Sequence, residues 1–257
     1  MPNIHPTALV AAGAELGAEV EVGPYCTVGP HVKLGDGTRL ISHVVVDGWT
    51  TLGARCTVWP FASVGLQTQD LKFKGGVSRT EVGDGTTLRE YVTIHAATSE
   101  GDATRVGSNC HIMAYAHVAH DCIVGNRVII ANASQLAGHV ILEDQVIVGG
   151  ICGVHQFVRL GRLCILGGCT KATQDVPPFM MADGNPVAVP SINKVGLQRA
   201  GVDEESQRAI KLAHRLLYRS ELGTRDALLR IEAEVNQTPE VQYLMAFVRA
   251  SARGIVK

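Results

Sequence analysis

An aliphatic residue returns at every sixth position over most of this chain. The row begins Ile4, Val10, Leu16, Val22, Val28 and Leu34 and continues to Val64. It resumes at Val82, Leu88 and Ile94, and again from Val106 through Ile112, Val118, Val124 and Ile130 to Leu166. An α-helix repeats at 3.6 and a flat strand at 2, so a strict period of six belongs to neither. It marks a repeat architecture, in which each unit buries its apolar face only by stacking on its neighbours. A second row lies four residues on, small or β-branched: Ala8, Ala14, Val20, Cys26, Val32 and, later, Ala116, Cys122, Val128 and Ser134. Both rows are predicted to look inward. Gly often follows the aliphatic, as at Gly17, Gly23, Gly35, Gly107 and Gly125, which predicts tight turns with unusual φ/ψ.

One hexad is then a short strand and a turn. Three hexads close a triangular coil of 18 residues, and coils stack as parallel strands roughly 4.8 Å apart. The pattern resembles the hexapeptide-repeat family, and that resemblance supplies the hand. The expected fold is an all-β solenoid, a left-handed parallel β-helix over residues 1–190, closed by an α-helical C-terminal domain over 191–257. A solenoid exposes its core at each end unless something caps it.

Composition excludes several classes. The formal net charge is −1, so no basic footprint argues for nucleic acid. The 46% hydrophobic content is spread at period six and never forms the ~20-residue apolar run of a membrane span. The repeat starts almost at Met1, which leaves no room for a signal peptide and predicts a cytoplasmic protein. Six of the seven cysteines (Cys26, Cys56, Cys110, Cys122, Cys152, Cys164) occupy the small inward row. No two of them are 18 residues apart, so they read as buried small hydrophobes and not as disulfide partners.

Two segments break the rhythm, Leu66 to Glu81 and Ala96 to Arg105. Asp70, Gly76 and Glu100 fall on the beat there, and an acid does not belong in a dry core. Both are predicted to be loops outside the prism, where function concentrates. The repeat fades near Val176, and Pro177, Pro178, Pro186 and Pro190 mark the boundary. Beyond it the period turns helical. Asp203 is predicted to cap a helix to about Ser220, Thr224 a second, and Thr238-Pro239 a third. The tail carries 11 Lys/Arg against 8 Asp/Glu, a mildly basic cap suited to an acidic carrier.

Histidines gather where the second half of the prism begins: His111, His117, His120, His139 and His155. The last four fall off both inward rows, so they sit outside or at corners. Adding 18 to His120 gives Gly138, and adding 36 gives Gln156, so these share one column. A histidine beside a glycine N–H can act as a base with an oxyanion donor. A zinc site of the γ-class carbonic anhydrase kind uses the same residue types, and a β-helix without catalysis is the third reading.

Five stretches are more specific. They are Gln69-Asp70-Leu71-Lys72, Ala116-His117-Val118-Ala119-His120-Asp121-Cys122, Leu136-Ala137-Gly138-His139, Val154-His155-Gln156-Phe157 and Gln174-Asp175-Val176-Pro177-Pro178. Together they resemble the UDP-N-acetylglucosamine O-acyltransferases, over nearly the whole chain. The resemblance implies a metal-free and cofactor-free homotrimer with active sites between adjacent prisms. It implies transfer of an (R)-3-hydroxyacyl group from acyl carrier protein to the 3-hydroxyl of UDP-N-acetylglucosamine, in lipid A synthesis. By motif, His120 is the general base, Asp121 orients it and the Gly138 N–H receives the oxyanion. Asp70, Lys72, His117, His139, His155 and Gln156 line the substrate surface, Asn193 and Arg199 lie on the nucleotide side, and Gly168 is the acyl-chain ruler. Departures at Ala96-Ala97, Gly75-Gly76-Val77, Val195 and Ala200 thin the contacts to the nucleotide. They leave N-acylation of a 3-amino sugar as an alternative.

Overall fold

The computed structural model describes residues 1–257 and consists of 28 short strands followed by four helices. Strands of two residues recur at each hexad, such as Thr27–Val28, Lys33–Leu34 and Arg39–Leu40. Each pairs in parallel with the strand one coil away, so Asn3 faces Glu21, Leu9 faces Thr27 and Glu15 faces Lys33. The pairs build three sheets of eleven, nine and eight strands, which are the faces of the prism. The whole is a left-handed parallel β-helix of hexapeptide repeats.

Within each strand the first residue points out and the second points in. Ile123 is 43% exposed while Val124 beside it is 2% exposed. The inward rows at i and i+4 are buried throughout the middle of the prism, from Val20 and Val22 to Cys164 and Leu166. All six inward cysteines are buried thiols, and only Cys169 is exposed. Cys56 and Cys152 stack on the hydroxyls of Thr38 and Ser134, which accept their backbone N–H groups.

The glycines work differently from the expectation. Of the glycines in that row (Gly17, Gly23, Gly29, Gly35, Gly53, Gly65, Gly83, Gly107, Gly125, Gly149 and Gly161) only Gly65 has a positive φ, of 82°; most left-handed positions of the prism are non-glycine corner residues such as Tyr25, His43, Arg55, Tyr91 and Asn109. The glycines are needed because coils pass close to one another. A Cβ at Gly35 would lie 2.5 Å from the Ala54 nitrogen, and at Gly107 2.5 Å from the Gly125 oxygen.

The two breaks are excursions of unequal size. Thr57 pairs with Thr87 across 30 positions, where a coil needs 18, so the first excursion adds 12. Thr87 pairs with His111 across 24, so the second adds 6. The first leaves the prism after the strand Ser63–Leu66 and returns at Arg79–Val82; the second leaves after Thr93–His95 and returns at Ala103–Val106. Residues 79–81 and 103–105, expected in loops, are therefore strand. Both excursions leave at the corner between the nine-stranded and eight-stranded faces.

At the top an antiparallel hairpin, Met180–Asp183 with Ala188–Ile192, ends the stack. Four helices follow: α1 (Lys194–Arg199), α2 (Glu204–Tyr218), α3 (Thr224–Glu234) and α4 (Pro239–Arg249). Asp203 caps α2 by accepting from the Ser206 N–H, and Thr238 caps α4 with Pro239 in the first turn. Thr224 is not a cap; Gly223 holds that place without a side-chain bond, and Thr224 opens the helix. The unexpected α1 is short and capped by Asn193. One apolar cluster runs unbroken from Val20 in the prism to Leu244 and Val256 in the tail. Polar clasps hold the tail in place. The Tyr243 hydroxyl donates to Glu143 at 2.7 Å, and the Ser251 hydroxyl donates to Asp175 at 2.7 Å.

The inward row carries the stability. Ile130, fully buried, should cost about 2–5 kcal/mol on replacement by Ala. Ile123→Ala, on the outward row, should cost no more than about 0.5 kcal/mol. Urea unfolding of the two variants measures the difference.

Candidate active site

The site grows from the corner that emits both loops. On that corner Asp121, His139 and Phe157 stack coil over coil, all with positive φ (60°, 61° and 66°). The left-handed backbone turns each side chain outward at the bend. The His139 N–H donates to the His120 carbonyl, and the Phe157 N–H donates to the Gly138 carbonyl. The His139 ring lies flat on Phe157, centroids 4.6 Å apart, and edge-on to His120 at 5.3 Å.

His120 is held at Nδ1 by the Asp121 carboxylate, 2.7 Å away. The same Oδ2 accepts the Thr98 N–H at 3.2 Å, from the second excursion, and lies 3.6 Å from His139 Nε2. The Asp121 N–H is itself anchored on the Thr104 hydroxyl. Asp121 thus acts from within the same chain. A carboxylate at Nδ1 leaves Nε2 as the free nitrogen, and Nε2 faces Asp70 at 3.9 Å. Asp70 sits in a turn of the first excursion, where its Oδ1 accepts the Lys72 N–H at 3.0 Å and its own N–H donates to the Thr68 hydroxyl. The Lys72 N–H, with the charges of His120 and Lys72, holds the Asp70 carboxyl below its ordinary range. Thr98 ties both loops together, its hydroxyl reaching Asp70 at 3.4 Å.

Gly138 stands where the 18-residue ruler put it. A Cβ there would collide with Cε1 and Nε2 of His120 and lie 3.0 Å from Nδ1. Its N–H makes no hydrogen bond within the chain. Two adjoining cavities open on this group. One of about 760 Å³ has no hydrophobic residue in its lining and holds Asp70, Lys72, Lys74, Thr98 and Glu100. The other, about 500 Å³, holds His95, His117, His120, His139 and Gln156. His155 borders a third, largely apolar trough of about 490 Å³ together with Lys171.

Gly168 lies higher on another corner with space around it, facing only the Gly150 carbonyl. Asn193 and Arg199 do not reach these cavities within one chain. The Asn193 side chain caps α1 and donates to the Leu163 carbonyl at 2.8 Å. Val195 is exposed, and Ala200 ends α1. Ala96 and Ala97 are buried beneath the second loop.

Sequence reasoning missed His95, Thr98 and Thr93. His95 is buried, edge-on to His117 at 4.9 Å. It lies 24 residues before Ala119 because of the six-residue excursion, so a fixed step of 18 passes it by. Burial and the neighbouring His120 charge lower the His95 pKa. Burial, then His95 and His120, lower that of His117 to about 4.

A description of the second domain of UDP-N-acetylglucosamine O-acyltransferases matches residues 175–256, and one of bacterial transferase hexapeptides matches 103–138. An acyl-[acyl-carrier-protein]--UDP-N-acetylglucosamine O-acyltransferase of Synechocystis sp. is 45% identical over 98% of this chain and 91% of its own. The chain belongs to the UDP-N-acetylglucosamine O-acyltransferase family. A Thermodesulfovibrio yellowstonii member is 44% identical over the full length of both chains. The Bacteroides fragilis UDP-N-acetylglucosamine acyltransferase structure superposes with a TM-score of 0.96 at 38% identity, covering 99% of this chain and 100% of that one. Membership favours acyl transfer over the zinc reading. His120, Asp121 and His139 also lie close enough together to hold a metal ion.

Gly138→Ala should push the His120 ring off its position and lower turnover by about 100-fold, since misplacement of ~1 Å costs that much. The fold should survive, which circular dichroism checks beside the assay. His117 gives a pH prediction. Its pKa is depressed in the folded chain, so the unfolded chain binds the proton first as pH falls through about 6.5. Stability is full above that pH and is lost down to about pH 4. His117→Asn should flatten this part of the stability–pH curve, read by thermal melts between pH 4 and 7.

Proposed function

We propose that this chain transfers an (R)-3-hydroxyacyl group from acyl carrier protein to the 3-hydroxyl of UDP-N-acetylglucosamine, the first step of lipid A synthesis. One observation carries the chemistry: Asp121 holds His120 Nδ1 while Nε2 stays free beside Gly138. His120 Nε2 takes the proton of the sugar 3-hydroxyl, and that oxygen attacks the thioester carbonyl carbon. The carbonyl electrons move onto oxygen, which the Gly138 N–H stabilises. The carbonyl re-forms, the C–S bond breaks, and the leaving thiolate takes the proton back from His120. Asp121 keeps the imidazole in its tautomer and offsets its transient charge.

Asp70 and Lys72 hold the sugar nucleotide in the polar cavity, with Lys72 near phosphate. His117, His139, His155 and Gln156 line the sugar, diphosphate and carrier-arm surface. Gly168 leaves room for the end of a longer acyl chain. Three copies assemble with the sites between prisms, and Asn193 and Arg199 then meet the nucleotide from the adjacent copy. The mildly basic tail suits an acidic carrier protein. No helix is long and apolar enough to cross a membrane, and a cytoplasmic location fits a soluble carrier and nucleotide sugar.

His120→Ala should lower kcat by about 10²–10⁴-fold while sedimentation still gives a trimer; retained turnover overturns the mechanism. Mass spectrometry of products from mixed hydroxyacyl carrier proteins, offered UDP-N-acetylglucosamine and its 3-amino analogue, should show an ester on the former. A dominant amide would reassign the acceptor.

A further inference from the structure

We propose that Thr93 is a positioning residue for the acceptor sugar: its hydroxyl holds His117 in the tautomer that aims Nε2–H into the reaction cavity. Thr93 and His117 are direct partners on adjacent parallel strands, and both side chains leave the same face. The Thr93 Oγ1 meets His117 Nδ1 at 2.7 Å. Neither atom bonds to any other side chain, and the Thr93 backbone, beside the ring, acts on His117 only as the smallest of the influences on its pKa. Both side chains are part-buried, so water does not readily replace the bond.

A neutral imidazole has one donor and one acceptor nitrogen, and the partner of one decides the role of the other. A hydroxyl can rotate to donate, and imidazole nitrogen is the better acceptor of the two atoms. Donation from Thr93 satisfies both. The reverse arrangement, Nδ1–H onto the hydroxyl oxygen, strands the hydroxyl proton without an acceptor. The first arrangement fixes the ring proton on Nε2, at the ring edge away from Thr93, and His117 lines the cavity shared with His95, Ala119 and His120. The depressed pKa of His117 agrees, since it keeps the ring neutral at physiological pH.

The pair of histidines then presents opposite polarities to a bound sugar. His120 offers a lone pair to the hydroxyl that loses its proton, and His117 offers an N–H to a neighbouring oxygen. The identity of that sugar rests on the acyl-transfer reading; the tautomer does not.

The test combines kinetics with nitrogen NMR of the intact protein labelled with ¹⁵N-histidine. In the unmodified protein His117 should carry its proton on Nε2. Thr93→Val, which keeps the β-branched shape and removes the hydroxyl, should shift the tautomer toward Nδ1–H. It should raise KM for UDP-N-acetylglucosamine about 3–10-fold, the worth of one hydrogen bond, with kcat within about twofold. Thr93→Ser should restore both. Protonation on Nδ1 in the unmodified protein overturns the proposal, as does a Thr93→Val variant with unchanged tautomer and KM. If Thr93→Val does not fold, the unmodified protein and Thr93→Ser still decide through the NMR signal. Absence of any acyl transfer in the unmodified protein overturns the enzymatic reading and leaves the tautomer measurement standing on its own.

Discussion

Coil-on-coil stacking sets every other feature of this molecule. Each strand has only two residues in most hexads, too few to be stable alone. It persists because its backbone groups bond to the coils on either side and its inward residue joins a core shared with them. The core is a column of aliphatic and small side chains that runs unbroken into the helical tail. Because each coil repeats the path of the last, side chains at one phase fall in vertical columns. A site on such a surface is built by stacking residues far apart in sequence but equal in phase.

The corner between the nine-stranded and eight-stranded faces shows what stacking permits. A left-handed bend recurs there, and Asp121, His139 and Phe157 occupy it in successive coils. Both excursions leave from the same corner, so Asp70 and Thr98 return to the histidines from loops on a rigid wall. The wall locates His120 and Gly138, and the loops bring polar groups against them. The division suits the proposed roles: a base must be held to within tenths of an ångström, whereas a binding loop can adjust.

Much of the site was legible because the ruler of 18 holds wherever no residue is inserted. His120, Gly138 and Gln156 fall in that stretch, and Gly138 meets the His120 ring as the arithmetic requires. His95 and Thr93 lie beyond the second excursion. Its six residues are one hexad long, so the beat returns in phase at Val106 after Glu100 while the stacking partner shifts from 18 to 24. Periodicity alone does not register such a slip. The Gly rows misled in another way. They do open turns, as Gly29, Gly35 and Gly161 accept i+3 backbone bonds, but what most of them are needed for is close approach between coils, which depends on a neighbour 18 or more residues away.

The order of residues by itself determined the period, the inward rows, the buried cysteines and the families that the chain resembles. The first three follow from local repetition and the last from short motifs, both of which a linear chain carries in full. Only the tertiary structure decided which loop atoms return to the prism. It brought Thr98 onto Asp121, Asp70 to 3.9 Å from His120, and the Thr93 hydroxyl onto His117. Those contacts depend on where an excursion folds back and on which strand lies beside which after an insertion. Such distances are set by packing between segments, and the spacing of letters along the chain does not encode them.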